Sequence, residues 1–339
     1  MTFSIAINGF GRIGRNYLRR LLGDDLADKD LRVLAVNDLY DPATLAHLLE
    51  YDSTFGRLGL GVAADGSTLT VGEQRIRTFS SRTPEALPWA DLGIDLVIES
   101  TGKMRTREDA ALHLKAGARR VLISAPGKGV DATLVPGVNA GTYDPLRHEV
   151  LSAASCTTNC VAPLLKVLHA AFGIERGFLT TVHAYTNDQN VLDAPHKDMR
   201  RARAAAVNII PTSTGAAKAV GAVIPELAGR LDGVALRVPV VDGSISDLSL
   251  ILDAEVDAAA INEAVASAAA EPDLRGVIRY TEAPIVSADI VGDPASCVFD
   301  AGLTQAHGRL AKVFAWYDNE WGYTNRLVDL TLQMAATGR

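Results

Sequence analysis

The apolar run Phe3 to Asn8 stops at Gly9-Phe10-Gly11-Arg12-Ile13-Gly14, and helical spacing takes over from Arg15 to Leu22. G-x-G-x-x-G between a strand and a helix narrows the fold more than any other stretch here. Its glycines allow a tight turn, the approach of backbone to a pyrophosphate, and the packing of helix on strand. A second strand, Leu31 to Asn37, ends in Asp38, 24 residues past Gly14. A carboxylate there accepts both hydroxyls of an adenine ribose and repels a 2′-phosphate, which favours NAD over NADP. The buried-strand runs Leu96 to Gly102 and Arg120 to Pro126, with helical patterning from Arg107 to Ala116 between them, continue the β-α-β alternation. The first 150 or so residues therefore predict a doubly wound parallel sheet.

From Cys156 the pattern changes. A helix is predicted over Cys156 to Phe172, then a Thr-rich alternating strand from Gly177 to Tyr185, then an irregular stretch from Thr186 to Asn208. So long a segment without periodicity inside a compact protein is more often functional or interfacial than idle. Strand signals recur at Val234 to Val241, Ser246 to Leu252, Ile285 to Ser287 and Leu310 to Tyr317. Helices are expected from Asp257 to Ala270 and from Glu320 to Ala336. Strands in runs with helices to one side indicate an α+β second domain.

The 339 residues suffice for two such domains. A net charge of −7 disfavours nucleic acid and anionic membranes, which require a summed positive field. The Lys197 to Arg203 cluster still suits small anions. Neither a signal core nor a membrane-length apolar run is present, so a cytoplasmic protein is expected. Cys156, Cys160 and Cys297 are too few and too irregularly spaced for a disulfide scaffold or a metal site, and none is predicted.

Cys156 lies in Ser155-Cys156-Thr157-Thr158-Asn159-Cys160, where a β-like lead-in, Glu149 to Ala154, turns helical. An isolated cysteine is usually a small buried hydrophobe. This one has polar neighbours and falls in a first helical turn, whose free N–H groups and dipole favour a thiolate. A nucleophile needs a base, and His183, 27 residues on in a predicted strand, is a candidate. Spacing does not exclude the other six histidines.

Together with Ile7 to Arg15 and Ser155 to Cys160, the motifs Thr181-Val182-His183, Pro211 to Lys218 and Trp316-Tyr317-Asp318-Asn319-Glu320 resemble the phosphorylating glyceraldehyde-3-phosphate dehydrogenases, over Ile5 to about Met334. The resemblance implies a fold of the α/β class: a Rossmann-type NAD-binding domain, residues 1–155 completed by a C-terminal helix at 320–339, and an α+β catalytic domain, residues 156–319, with a mainly antiparallel sheet. It implies oxidation of D-glyceraldehyde 3-phosphate with NAD and inorganic phosphate to 1,3-bisphosphoglycerate. Cys156 would form a hemithioacetal and then a thioester, with His183 as acid and base. By the same resemblance Thr186 and Arg237 hold the substrate phosphate, and Ser155, Thr157, Thr214, Gly215 and Arg201 hold inorganic phosphate. Gly9, Gly11, Arg12 and Ile13 meet the pyrophosphate and Asp38 the ribose, Arg82 and Ser124 lie nearby, and Asn319 binds the nicotinamide carboxamide. A homotetramer is implied, with the loop at about 184–208 packed against a neighbouring cofactor site.

The chain departs from the family pattern at Ala194-Pro195, at Met104 to Arg107, and at Arg237-Val238-Pro239-Val240-Val241-Asp242-Gly243-Ser244, where Arg-Val-Pro-Thr-Pro-Asn-Val-Ser is usual. Two other readings are an erythrose-4-phosphate dehydrogenase, disfavoured by Asp38 and Thr214-Gly215, and an inactive NAD-binding paralogue with an interaction role.

Overall fold

A computed structural model describes residues 2–337. The chain divides into two compact units, one of residues 1–134, 141–154 and 324–339, the other of residues 135–140 and 155–323.

The first unit is built on β1 (Phe3–Asn8) and β2 (Leu31–Asn37), followed by β3 (Val62–Asp65), β4 (Thr68–Val71), β5 (Gln74–Phe79), β6 (Leu96–Glu99), β7 (Arg120–Ile123), β8 (Ala132–Thr133) and β9 (Val150–Ser152). Among the described residues they form one sheet in the order β8-β9-β7-β6-β1-β2-β5-β4-β3. All contacts from β8 to β5 are parallel, and the β3-β4-β5 edge is antiparallel. β1 is central and buried along nearly its whole length, as its continuous apolar run requires. Ala6, Ala35, Val97, Val121 and Trp89 meet in the core on one side of this sheet.

β1 passes through Gly9 into α1 (Arg12–Leu21). Gly9 has φ +92°, and a Cβ there would stand 2.6 Å from the Thr101 backbone nitrogen. A Cβ on Gly14 would stand 2.3 Å from the Gly9 carbonyl oxygen, so only glycine lets the helix lie this close to the turn. The helix patterning expected over 107–116 is two short turns, Arg107–Ala110 and Leu112–Lys115.

The second unit begins with α2 (Cys156–Phe172) and contains β10 (Ile174–Ala184), β11 (Ile210–Ser213), α3 (Ala216–Val223), β12 (Leu231–Val238), β13 (Ser244–Leu252), α4 (Ala258–Ala270), β14 (Ile278–Thr281), β15 (Cys297–Asp300), β16 (Gln305–His307) and β17 (Leu310–Tyr317). The sheet runs β11-β12-β10-β13-β17-β15-β14, with β16 on β17. It is mainly antiparallel, with parallel pairs β10-β12 and β14-β15. β13 alternates buried and half-buried residues along its length, as a strand covered on one face should. The strand expected at Ile285 to Ser287 is absent. Asp289 accepts the Val286 N–H at 2.8 Å, and Ser287–Ile290 folds into a 3-10 turn instead.

Candidate active site

The Ser155 hydroxyl accepts the Thr158 N–H at 3.1 Å and caps α2, so Cys156 is the first residue of the helix. Cys156 is half-buried. His183, near the end of β10, places Nε2 3.5 Å from Cys156 Sγ. The parallel register of β10 and β12 sets His183 beside Arg237. The His183 Nδ1 lies 2.7 Å from the Ala184 carbonyl oxygen, and Arg237 Nη1 is 2.9 Å from that same oxygen. With the proton on Nδ1, both donors share this acceptor and the Nε2 lone pair faces the sulfur.

Burial and then the Arg237 guanidinium push His183 down to about 3. Burial also raises the Cys156 thiol, partly offset by Arg237 and by donation from Thr157. The ligand-free pair is therefore thiol and neutral imidazole. This corrects the expectation that the helix terminus favours a resting thiolate, because desolvation outweighs it.

Arg237 is half-buried, its Nε is buried with no acceptor, and among the described residues no carboxylate pairs with it. Its Nη1 reaches the Thr186 hydroxyl at 3.5 Å. A desolvated guanidinium without a carboxylate is a site for an anionic ligand. Arg201 differs. It pairs with Asp188 and donates to Thr212 Oγ1 at 2.9 Å and to the Ser213 carbonyl at 3.5 Å. Thr214 and Gly215 follow directly, with Gly215 capping α3.

Thr157 corrects a second expectation. Its hydroxyl is 2.9 Å from Tyr317 Oη, which in turn lies 2.8 Å from Thr181 Oγ1, so the side chain is buried and engaged within the protein and not turned to a phosphate. Tyr317 was not anticipated. Its ring edge meets the His183 ring at 5.9 Å, and burial keeps the phenol protonated.

Residues 3–107 match the family model described as glyceraldehyde 3-phosphate dehydrogenase, NAD binding domain, and residues 155–319 match the C-terminal domain of the same family. The chain is 57% identical to glyceraldehyde-3-phosphate dehydrogenase of Streptomyces coelicolor over 333 residues, 98% of each chain. It is also 57% identical to glyceraldehyde-3-phosphate dehydrogenase 2 of Streptomyces arenae, over 97% of this chain and 98% of that one. The enzyme of Mycobacterium avium is 56% identical, over 97% and 98%. The chain belongs to the glyceraldehyde-3-phosphate dehydrogenase family.

The family's NAD-binding domain is in keeping with the first unit. A cavity of about 360 Å³ is lined by Asn8, Gly9, Gly11, Asp38, Arg82 and Thr101, among others. A Cβ on Gly11 would meet nothing within 4 Å, so this turn opens onto space that a ligand's backbone can enter. Asp38 Oδ2 accepts the Phe10 N–H at 2.7 Å, tying the end of β2 to the glycine turn. The first-turn N–H groups of Arg12 and Ile13 suit a pyrophosphate, whereas the Arg12 guanidinium pairs with Asp52. Ser124 sits at the carboxyl end of β7, and its N–H binds the Glu99 carbonyl. These residues fit NAD.

In the second unit Asn319 is buried, and its Oδ1 accepts from Ser244 Oγ at 2.6 Å. Ser244 Oγ itself accepts the Ala184 N–H at 3.1 Å, so its proton must go to Asn319. The amide orientation of Asn319 is thereby fixed. Among the described residues no group of three or more His, Cys, Asp or Glu side chains is placed to hold a metal ion, and no helix is long and apolar enough to cross a membrane.

Proposed function

We propose that this chain oxidises D-glyceraldehyde 3-phosphate with NAD and inorganic phosphate to 1,3-bisphosphoglycerate. The carrying observation is Cys156 Sγ 3.5 Å from His183 Nε2, beside a half-buried Arg237 that pairs with no carboxylate among the described residues. Arg237 and Thr186 hold the substrate phosphate and so deliver the aldehyde carbon to the sulfur. His183 Nε2 takes the thiol proton as the C–S bond forms, and the resulting alkoxide is protonated to give the hemithioacetal. NAD supplies a hydride acceptor. His183 removes the hydroxyl proton as hydride leaves carbon, which yields a thioester on Cys156. A phosphate oxygen attacks that carbonyl and the sulfur departs as thiolate. Arg201, Ser155, Thr214 and Gly215 hold the attacking phosphate, while Thr157 donates to the sulfur.

Residues 1–155 with 320–339 serve as the NAD-binding domain, and 156–319 as the catalytic domain. Gly9, Gly11, Arg12, Ile13, Asp38, Arg82 and Ser124 hold the dinucleotide, and Asn319 receives the carboxamide. Exposed Val191, Leu192, Met199, Val207 and Ile209 suit burial by other copies in a homotetramer, and three free thiols suit the reducing cytoplasm. Steady-state NADH formation tests the reading. Turnover should require both the phosphorylated aldehyde and inorganic phosphate, exceed that on erythrose 4-phosphate, and vanish in Cys156→Ser. Phosphate-independent turnover would overturn it.

A further inference from the structure

Asp242, in the turn between β12 and β13, is buried. Its Oδ1 accepts the Gly243 N–H at 2.8 Å, whereas its Oδ2 is buried with no donor. Another buried carboxyl, Asp318, lies within side-chain hydrogen-bonding reach of it. Asp318 already accepts three backbone N–H groups, which leaves its Oδ2 room for one more donor. Its Oδ1 takes the Glu320 and Trp321 N–H groups at 2.8 and 2.6 Å, and its Oδ2 takes the Gly292 N–H at 2.7 Å. Those donors include the start of the C-terminal helix, Trp321–Thr337, whose dipole also favours a negative charge. Two carboxylates cannot both ionise in such a place, so Asp318 carries the charge and Asp242 the proton.

The surrounding groups reinforce that assignment. Glu320 adds a further negative field at Asp242. The segment packed on Gly243 contributes Asp289, bound to the Val286 N–H, and Asp293, paired with Arg279. Burial, followed by Asp318 and Glu320, pushes Asp242 up to about 9.

The two acids are neighbours of the pair that fixes Asn319. Asp242 is two residues before Ser244, Asp318 is one before Asn319, and the register sets Ser244 opposite Tyr317. We infer that Asp242 is a positioning residue for the nicotinamide subsite: as a carboxylic acid it donates to Asp318 and clamps the turn carrying Ser244 to the turn carrying Asn319, and loss of its proton opens the clamp. The inference rests on the proposed role of Asn319. An asparagine at 242 clamps by an amide N–H that does not titrate, whereas the acid makes cofactor use sensitive to alkali.

The test is the KM for NAD between pH 6 and pH 10 in the full-length wild type, Asp242→Asn, Asp242→Ala and Asn319→Ala. Above about pH 9 the wild-type value should climb about tenfold per pH unit, as one proton is lost. Asp242→Asn should stay flat over the range, and Asp242→Ala should be raised roughly tenfold at every pH. Superimposable wild-type and Asp242→Asn profiles, or a flat wild-type profile, overturn the inference. If Asn319→Ala leaves the KM for NAD unchanged while the wild type and Asp242→Asn differ as expected, it is the role of Asn319 that fails and not the clamp. Should the variants not fold, infrared spectra of the wild type decide: a protonated-carboxyl band present at pH 7 and lost by pH 10 supports the clamp, and its absence at pH 7 overturns it.

Discussion

His183 and Arg237 occupy facing positions of a parallel ladder, and Arg237 Nη1 lies 2.9 Å from His183 Nδ1. A cation against the far nitrogen opposes any positive charge on the ring, so the imidazole rests neutral with Nε2 toward Cys156. The same cation stands ready for an anion. One arginine therefore tunes the base and receives the ligand's charge.

A neutral pair held by burial predicts a particular alkylation profile. In the ligand-free protein, the rate of Cys156 modification by iodoacetamide should keep rising with pH through 9, because burial raises the thiol above its ordinary value. A rate already level at pH 6 would mean that a thiolate–imidazolium pair prevails instead.

Folding stability should carry the mark of the buried imidazole. Unfolded His183 titrates near 6.5 and folded His183 near 3, so between these values the unfolded chain binds one more proton. Stability is then full above about pH 6.5 and declines as pH falls, by about 1.4 kcal/mol per unit from this one group. Chemical denaturation of the wild type and His183→Gln between pH 4 and pH 7 should show the slopes differing by close to one proton. The same variant should lose roughly 10²- to 10⁴-fold in kcat, the usual worth of a general base.

Asp38 both braces the glycine turn through the Phe10 N–H and faces the cavity beside it. Asp38→Ala should raise the KM for NAD by roughly ten- to a hundredfold, the scale of one charge-assisted hydrogen bond, with kcat changed far less. It should also narrow the preference against NADP, since the repelling carboxylate is gone. Initial rates with both dinucleotides measure this.

The sequence made the strands and helices with strong local signals legible. Phe3–Asn8, Leu31–Asn37 and Leu310–Tyr317 are continuous or cleanly alternating apolar runs, and Cys156–Phe172 starts at a capping serine. Gln74–Phe79 escaped notice because Arg75 and Arg77 interrupt its apolar content, although their side chains lie on its exposed face. Ile285 to Ser287 looked like a strand because a short β-branched run does not reveal that Asp289 will bind its backbone. In the site, Cys156 and His183 were readable as residue types. Their protonation was not, since it depends on burial and on a ladder register that sets Arg237, 54 positions away, beside the ring. Tyr317 was hidden for the same reason: its partners Thr157 and Thr181 are 160 and 136 positions distant.

Arg237 yields the sharpest test of substrate class. If its half-buried guanidinium holds the substrate phosphate, Arg237→Leu should cost the phosphorylated aldehyde about 3–5 kcal/mol of transition-state stabilisation, which is roughly 10²- to 10³-fold or more in kcat/KM. Unphosphorylated glyceraldehyde never makes that contact, so its kcat/KM should change by much less. Removing the cation also relieves the opposition to a charged ring, and His183 should titrate higher than in the wild type. Measuring kcat/KM for both aldehydes, together with the His183 titration by NMR, separates the two effects. Equal losses for the two aldehydes would assign Arg237 to tuning of the base alone.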